Sequence, residues 1–302
     1  MKHFKYLLLP LLLLSACSES FVEEEEFYPT IDGEAIEFVV DQPNSRLSYF
    51  QGDGYSVVWD GNEQISVRAY PYGNPSSEEK QRANYAVSKE GACSLIKYSD
   101  IVWTGTKTTI LAYYPATANA TATNLWGIPF AEVQKQQAAN DHSHLTKYTM
   151  MQTEPQHLAE KPEKVNLRFI NLCSIIELTL KGPATHSIQE VSLITTSAND
   201  LWCTQAHLNA TPSLYDENGQ LKDASLLKAY VDANTLEDFG LKQVRLTLNT
   251  PAALSTDEGI KLYLVTLPGQ HAKNEITVQV VTTEGRVAKI PMGAINLRMN
   301  KV

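Results

Sequence analysis

The chain has 302 residues, 43% of them hydrophobic and 20% charged. That is enough apolar material for one large domain or two of ordinary size, and it excludes a mostly disordered protein. A formal charge of −9 and a pI near 5.3 argue against a general nucleic-acid binder, which needs a basic face to neutralise phosphates. Long stretches rich in Ala, Glu, Lys and Leu are missing, so an all-helical bundle is a poor fit.

In chain order the first feature is an address. Lys2 and Lys5 precede an apolar run from Tyr6 to Leu14, broken by Pro10. The run is too short to span a bilayer as a mature helix and has the layout of a secretory signal. It closes on Leu14-Ser15-Ala16-Cys17, which resembles the bacterial lipobox. That resemblance implies a lipoprotein signal peptide over 1–16, cleavage before Cys17 and acylation there. Two or more acyl chains anchor stably where one does not. Residues 17–33 then read as an acidic tether, because Glu23 to Glu26 repel one another and resist folding. An acidic stretch at this place also resembles the surface-export signal of Bacteroidota lipoproteins; a plain spacer is the alternative.

From residue 34 the chain reads as strands bounded by turn residues. The first set is Ile36–Val40, Arg46–Phe50, Ser56–Trp59, Gln64–Tyr70, Asn84–Val87, Cys93–Tyr98, Thr108–Tyr114 and Leu145–Met151. Asp53-Gly54 and Asp60-Gly61 are turn dipeptides, and the prolines of Tyr70-Pro71 and Tyr114-Pro115 end strands. Phe130 to Ala139 fits a short helix or a Gln- and Ala-rich loop. Gln152–Glu163, polar and carrying Pro155 and Pro162, reads as a linker or inter-domain crossing.

The second set is Val165–Phe169, Ile175–Lys181, Ile188–Ile194, Gln205–Leu208, Ala229–Val231, Gln243–Leu248, Ile260–Leu267, Glu275–Thr282 and Arg286–Ile290. The last two resemble a hairpin around Glu284-Gly285. The expectation is all-β: two tandem antiparallel β-sandwiches, over 34–163 and 164–302. The alternating C-terminal stretch Ala294–Val302 fits a last core strand, or a mobile strand that inserts into a neighbour.

Signs of chemistry are sparse. Beyond Cys17, the chain has Cys93, Cys173 and Cys203 with no Cys-x-x-Cys spacing, so no zinc site is expected. Cys173–Cys203 is a candidate disulfide, and buried free thiols are the alternative. His142 and His144 beside Asp141 could share a metal on a strand, but on a polar loop they read as solvated. His157, His186, His207 and His271 read as surface. No Gly-x-Ser-x-Gly elbow, His-Glu-x-x-His, phosphate loop or dinucleotide glycine pattern occurs. The expectation is a non-catalytic protein without cofactor or metal. Among the tryptophans, Trp59 reads as core. Trp126, in a predicted loop, is the best candidate for stacking on a sugar. Tyr70, Tyr72, Tyr113 and Tyr114 read as rim residues.

Several segments resemble the fimbrillin family. Trp59-Asp60-Gly61-Asn62-Glu63-Gln64-Ile65-Ser66-Val67 is similar to its Trp, acidic turn and alternating strand. Ile110-Leu111-Ala112-Tyr113-Tyr114-Pro115 is similar to its Ala-Tyr-Tyr-Pro strand end. Ile128-Pro129-Phe130 through Gln134 and His144 through Met151 resemble its loop and the last strand of its first domain. Leu167-Arg168-Phe169, Ile175 through Gly182 and Ile188 through Leu193 resemble the start of its second. The resemblance covers most of residues 34 to 195. It departs from the pattern where Ile170 follows Phe169 instead of the frequent His, and where Gln64 replaces the usual Asp.

The resemblance implies an outer-membrane lipoprotein precursor with two transthyretin-like sandwiches, a stalk, anchor or tip subunit of a surface fimbria. It implies partners that are other fimbrial subunits, joined by donor-strand exchange after a protease cuts behind an Arg in the first domain. An open sandwich edge has unpaired N–H and C=O groups that a donated strand satisfies. Arg46 is the candidate cut, after Pro43-Asn44-Ser45 and before a predicted strand. Arg68 sits inside a strand and should be less accessible. A lipid-anchored glycan-binding protein beside a nutrient-uptake system is the alternative function.

Overall fold

A computed structural model describes residues 31–41, 46–47, 55–56, 59–73, 80–116, 125–127, 133–153, 155–171, 173–197, 201–203, 205–207 and 240–297. Apolar alternation and continuous apolar runs become strands, and the regular structure is almost entirely β. The first half lays down β1 (Glu37–Val40), β2 (Glu63–Pro71), β3 (Gln81–Val87), β4 (Cys93–Tyr98) and β5 (Thr108–Tyr114). Then come β6 (Val133–Gln136), a one-turn helix α1 (Leu145–Tyr148), β7 (Met151–Thr153), β8 (Gln156–Leu158), β9 (Lys164–Leu167) and β10 (Phe169–Asn171).

Strands β10-β7-β5-β2-β3-β4 form one antiparallel sheet in that order, and β8 also pairs with β5. One face carries Ile65, Val67, Ala83, Tyr85, Val87, Ile110 and Ala112, all buried. The parallel pair β1–β9 supplies a second layer over it, where the Phe38 and Tyr85 rings lie 5.4 Å apart. The opposite face is buried too but mixes chemistry: Ser66, Arg68, Arg82 and Asn84 lie among Leu111 and Tyr113. There the Arg68 guanidinium sits 5.5 Å from the centre of the Tyr113 ring.

The second half lays down β11 (Ser174–Leu180), β12 (Ser187–Thr195), β13 (Gln243–Ala253), β14 (Ile260–Thr266), β15 (Gly269–His271), β16 (Ile276–Thr282), β17 (Val287–Pro291) and β18 (Ile295–Leu297). The order β6-β13-β12-β16-β17 makes a five-stranded sheet, opposite the antiparallel ladders β11–β14 and β15–β18. Val191, Leu193, Val244, Leu246, Val278 and Val280 bury against Leu262 and Leu264. A β-bulge between Ile188 and Glu190 shifts the register of β12.

The structure differs from the sequence reading in instructive places. Residues 133–136, within the stretch expected to be helix or loop, form β6, and β6 pairs parallel with β13 of the second half. The expected strand Leu145–Met151 opens as helix α1 instead. Leu145 and Tyr148 are both buried; three residues apart, they share a face of a helical turn but would point to opposite faces of a strand. The polar stretch read as a linker contains most of β7 and all of β8, both paired with β5. Polar side chains fit there because they pair locally: the Ala112 N–H donates to Thr153 Oγ1 at 2.9 Å. Strands β9 and β10 pair with elements of the first half. The expected strand Ala229–Val231 lies outside the described residues.

Candidate functional site

Ile36, Phe38 and Val40 alternate inward on the N-terminal strand. The strand is held on both sides. Ile36 N–H donates to Ile101 O at 2.9 Å and Val40 N–H to Gly91 O at 2.8 Å. On the other side β1 runs parallel to β9, with Glu37 opposite Lys164 and Val40 opposite Leu167, and Asp41 N–H donates to Leu167 O at 3.1 Å. Gly91 sits at φ +87°, and a Cβ there would collide with the Val40 carbonyl oxygen. Glycine is thus the residue that lets the turn close on β1. Lys161 pairs with Glu34 just before the strand.

An aromatic cluster meets the chain just past the end of β1, at Asp41. The Trp59 ring meets Tyr114 edge-on at 5.5 Å and Phe169 at 5.4 Å, and its Nε1–H donates to Asp41 O at 3.3 Å. The turn that follows is tied by one carboxylate. Glu63 Oε2 accepts from the N–H groups of Asp60, Gly61 and Asn62 at 3.0, 3.1 and 3.2 Å. Burial raises the Glu63 pKa, and the nearby Asp60 charge adds to the rise against these hydrogen bonds.

A second seam lies between the halves of the chain. The fully buried amides of Gln134 and Gln136 reach from β6 to the edge of β14. Gln134 Nε2 donates to Val265 O at 2.7 Å while its Oε1 accepts from Val265 N–H at 2.9 Å. Gln136 Oε1 accepts from Tyr263 N–H at 3.0 Å, and its Nε2 donates to Ala138 O at 2.7 Å and Lys261 O at 3.2 Å. Each amide does what a peptide group of a neighbouring strand would do. Sequence reasoning missed both glutamines; their i, i+2 spacing was the available signal.

The sequence-derived candidates scatter. Cys17 lies outside the described residues. Arg46 and Leu47 pair with Ser56 and Tyr55 in a short ladder. Arg68 is buried inside β2, as its place in a strand suggests. Trp126 stands in a short strand, not a loop, with Leu125–Gly127 paired to Gln205–His207. His144 is buried, against its expected solvation. Its Nε2–H donates to Tyr263 O at 3.0 Å, and burial lowers its pKa. His271 is buried as well, not surface. Tyr70, Tyr113 and Tyr114 are core, whereas Tyr72 is exposed. Cys93 and Cys173 are free thiols, which removes the Cys173–Cys203 bridge; burial pushes both up to about 12. Among the described residues no group of three or more His, Cys, Asp or Glu is placed to hold a metal ion, and no helix is long and apolar enough to cross a membrane.

Two sheet edges carry exposed apolar residues: Leu95 and Ile96 on β4, and Val287 and Ile290 on β17. Each edge strand also carries a lysine, Lys97 or Lys289, and β17 ends on Pro291. These residues blunt an edge against casual pairing. An open cavity of about 550 Å³ lies beside β15 and β18, lined by Ser197, Gln270, His271, Glu275 and Asn296 among others.

No protein-family model matches the chain, and no curated protein sequence matches it. Solved structures do match. A protein of Bacteroides ovatus ATCC 8483 named for cell adhesion aligns at 11% identity and a TM-score of 0.50, over 89% of this chain and 90% of that one. A protein of Bacteroides fragilis NCTC 9343, also named for cell adhesion, aligns at 12% identity and a TM-score of 0.51, with coverage of 89% and 90%. The chain shares its fold with these Bacteroidota proteins.

Proposed function

We propose that this chain is a non-catalytic subunit of a fimbria or adhesin on a Bacteroidota cell surface. The shared fold over nearly the full length of both chains carries the reading. In it, the two halves are tandem sandwiches, Cys17 is the lipidation site and residues 17–33 are the acidic tether to the outer membrane. Other subunits dock by donated strands. Arg46 is the maturation cut: it precedes Leu47 in a two-residue ladder, and cutting there frees β1 from the rest of the chain. Mass spectrometry of the native protein in sheared and membrane fractions tests this. A mature N-terminus at Leu47 in SDS-resistant ladders is the result expected of a polymerising subunit. An acylated Cys17 on a monomer overturns polymerisation for this chain and keeps only the lipid anchor.

A further inference from the structure

We infer that β1 and β9 form a mechanical clamp, which makes this chain a load-bearing link between its N-terminal attachment and everything that follows. The biological use of the clamp rests on the proposed anchoring through Cys17 and belongs to the chain before any cut at Arg46, since a mature N-terminus at Leu47 leaves β1 behind; its geometry rests on neither.

The direction of the two strands sets their response to tension. In a parallel pair the two N-terminal ends lie side by side. The chain therefore enters β1 before Glu37 at one end of the ladder and leaves β9 after Leu167 at the other. Tension between residue 31 and the later chain slides the strands along their length. All the bonds between them are then strained together. In an antiparallel hairpin such as β16–β17, pulling the open ends strains one pair at a time and the hairpin unzips. Resistance to force is set by the barrier to the first rupture, so the shared loading matters more than the number of bonds.

The surroundings reinforce the pair. Val39 is opposite Asn166 and its N–H faces β9, as that of Asp41 does. The N–H groups of Ile36 and Val40 point the other way, to Ile101 and Gly91. Strand β1 is thus fixed along both edges. Phe38 and Val40 are buried, so sliding also drags two apolar side chains out of their sites. The other parallel ladder, β6–β13, holds a segment of the first half against the second, so load leaving β9 meets a body that is itself stitched together.

Single-molecule force spectroscopy tests the clamp, with the chain from Cys17 to Val302 held at its two ends. The expected first rupture of the N-terminal half comes at a force well above hairpin opening. Val39→Pro removes the N–H that faces β9, and should drop that rupture to the hairpin level while leaving the later events unchanged. Glu37 and Lys164 are exposed register partners, so an oxidised Glu37→Cys/Lys164→Cys pair should delete the rupture and reduction should restore it. Val280→Ala, in β16 of the five-stranded sheet, should lower the melting temperature without moving the rupture. A first rupture no stronger than a hairpin, or one that persists behind the closed 37–164 bridge, overturns the clamp even where Val39→Pro does not fold. The N-terminal mass spectrometry decides the surface reading separately, so either can fail alone.

Discussion

Two strands, β1 and β6, are added in parallel to frameworks whose other described strand ladders are antiparallel, and they are held by different chemistry. β1 is held by backbone pairing along both edges and by apolar side chains driven inward. β6 pairs its backbone with β13 and satisfies β14 with side-chain amides. The first lock depends on the hydrophobic effect, which tolerates imprecise geometry. The second depends on hydrogen bonds in a dry seam, where a lost partner leaves a buried group exposed to its full desolvation cost.

The largest expected effect comes from the apolar lock. Phe38→Ala removes a buried ring that meets Tyr85 and leaves a cavity, which should destabilise the first half by about 3–5 kcal/mol. Urea unfolding with hydrogen exchange as the local probe reads it: Val40 and Asp41 amides should lose protection while Val265 keeps its own. Equal loss at Val265 would mean that the two locks are not separate devices.

Gln134→Leu is the matching break in the polar lock. It keeps the bulk of the side chain and removes both hydrogen bonds to Val265, leaving a buried N–H and C=O without partners. The expected cost is about 2–4 kcal/mol, read as a lower urea midpoint at unchanged slope. A cost near zero would mean that β13 alone holds β6. Combined with Phe38→Ala the costs should add to within about 0.5 kcal/mol, as expected of sites with no shared partner.

The contrast also explains what the sequence revealed. Ile36, Phe38 and Val40 alternate, so β1 is legible from pattern alone. The same holds for β4 and β5, whose expected bounds match the structure. β6 is illegible because its inward residues are Gln134 and Gln136, and polar residues facing a seam look like polar residues facing water. The local composition around them favours helix by propensity, and tertiary partners override it. Burial of His144 is hidden for the same reason: its partner is a backbone carbonyl 119 residues away, which spacing cannot reveal. At the candidate site, Trp59 reads as core from the sequence, but the partners it meets are set by topology, and so is the close approach that requires glycine at position 91.

The smallest effect is a pH dependence that separates the locks. His144 donates from Nε2 to Tyr263 O, on the residue whose N–H bonds Gln136. Its Nδ1 is buried without a hydrogen-bond partner, so a second ring proton would have no acceptor. Burial lowers the pKa below the ordinary 6.5, outweighing the Tyr263 carbonyl and Asp141, which act the other way; His142 adds to the lowering. With a folded pKa below the unfolded one, the unfolded chain binds more protons in the window between them, so this group's stabilisation is intact above pH 6.5 and falls as pH drops toward the folded value. The loss should appear as faster exchange at Tyr263 and Val265 in mild acid, with Val40 and Asp41 spared. In His144→Phe the acid loss at β14 should vanish. A loss that persists there would assign the pH response to another group, and one that spreads equally to β1 would show that the two halves open together.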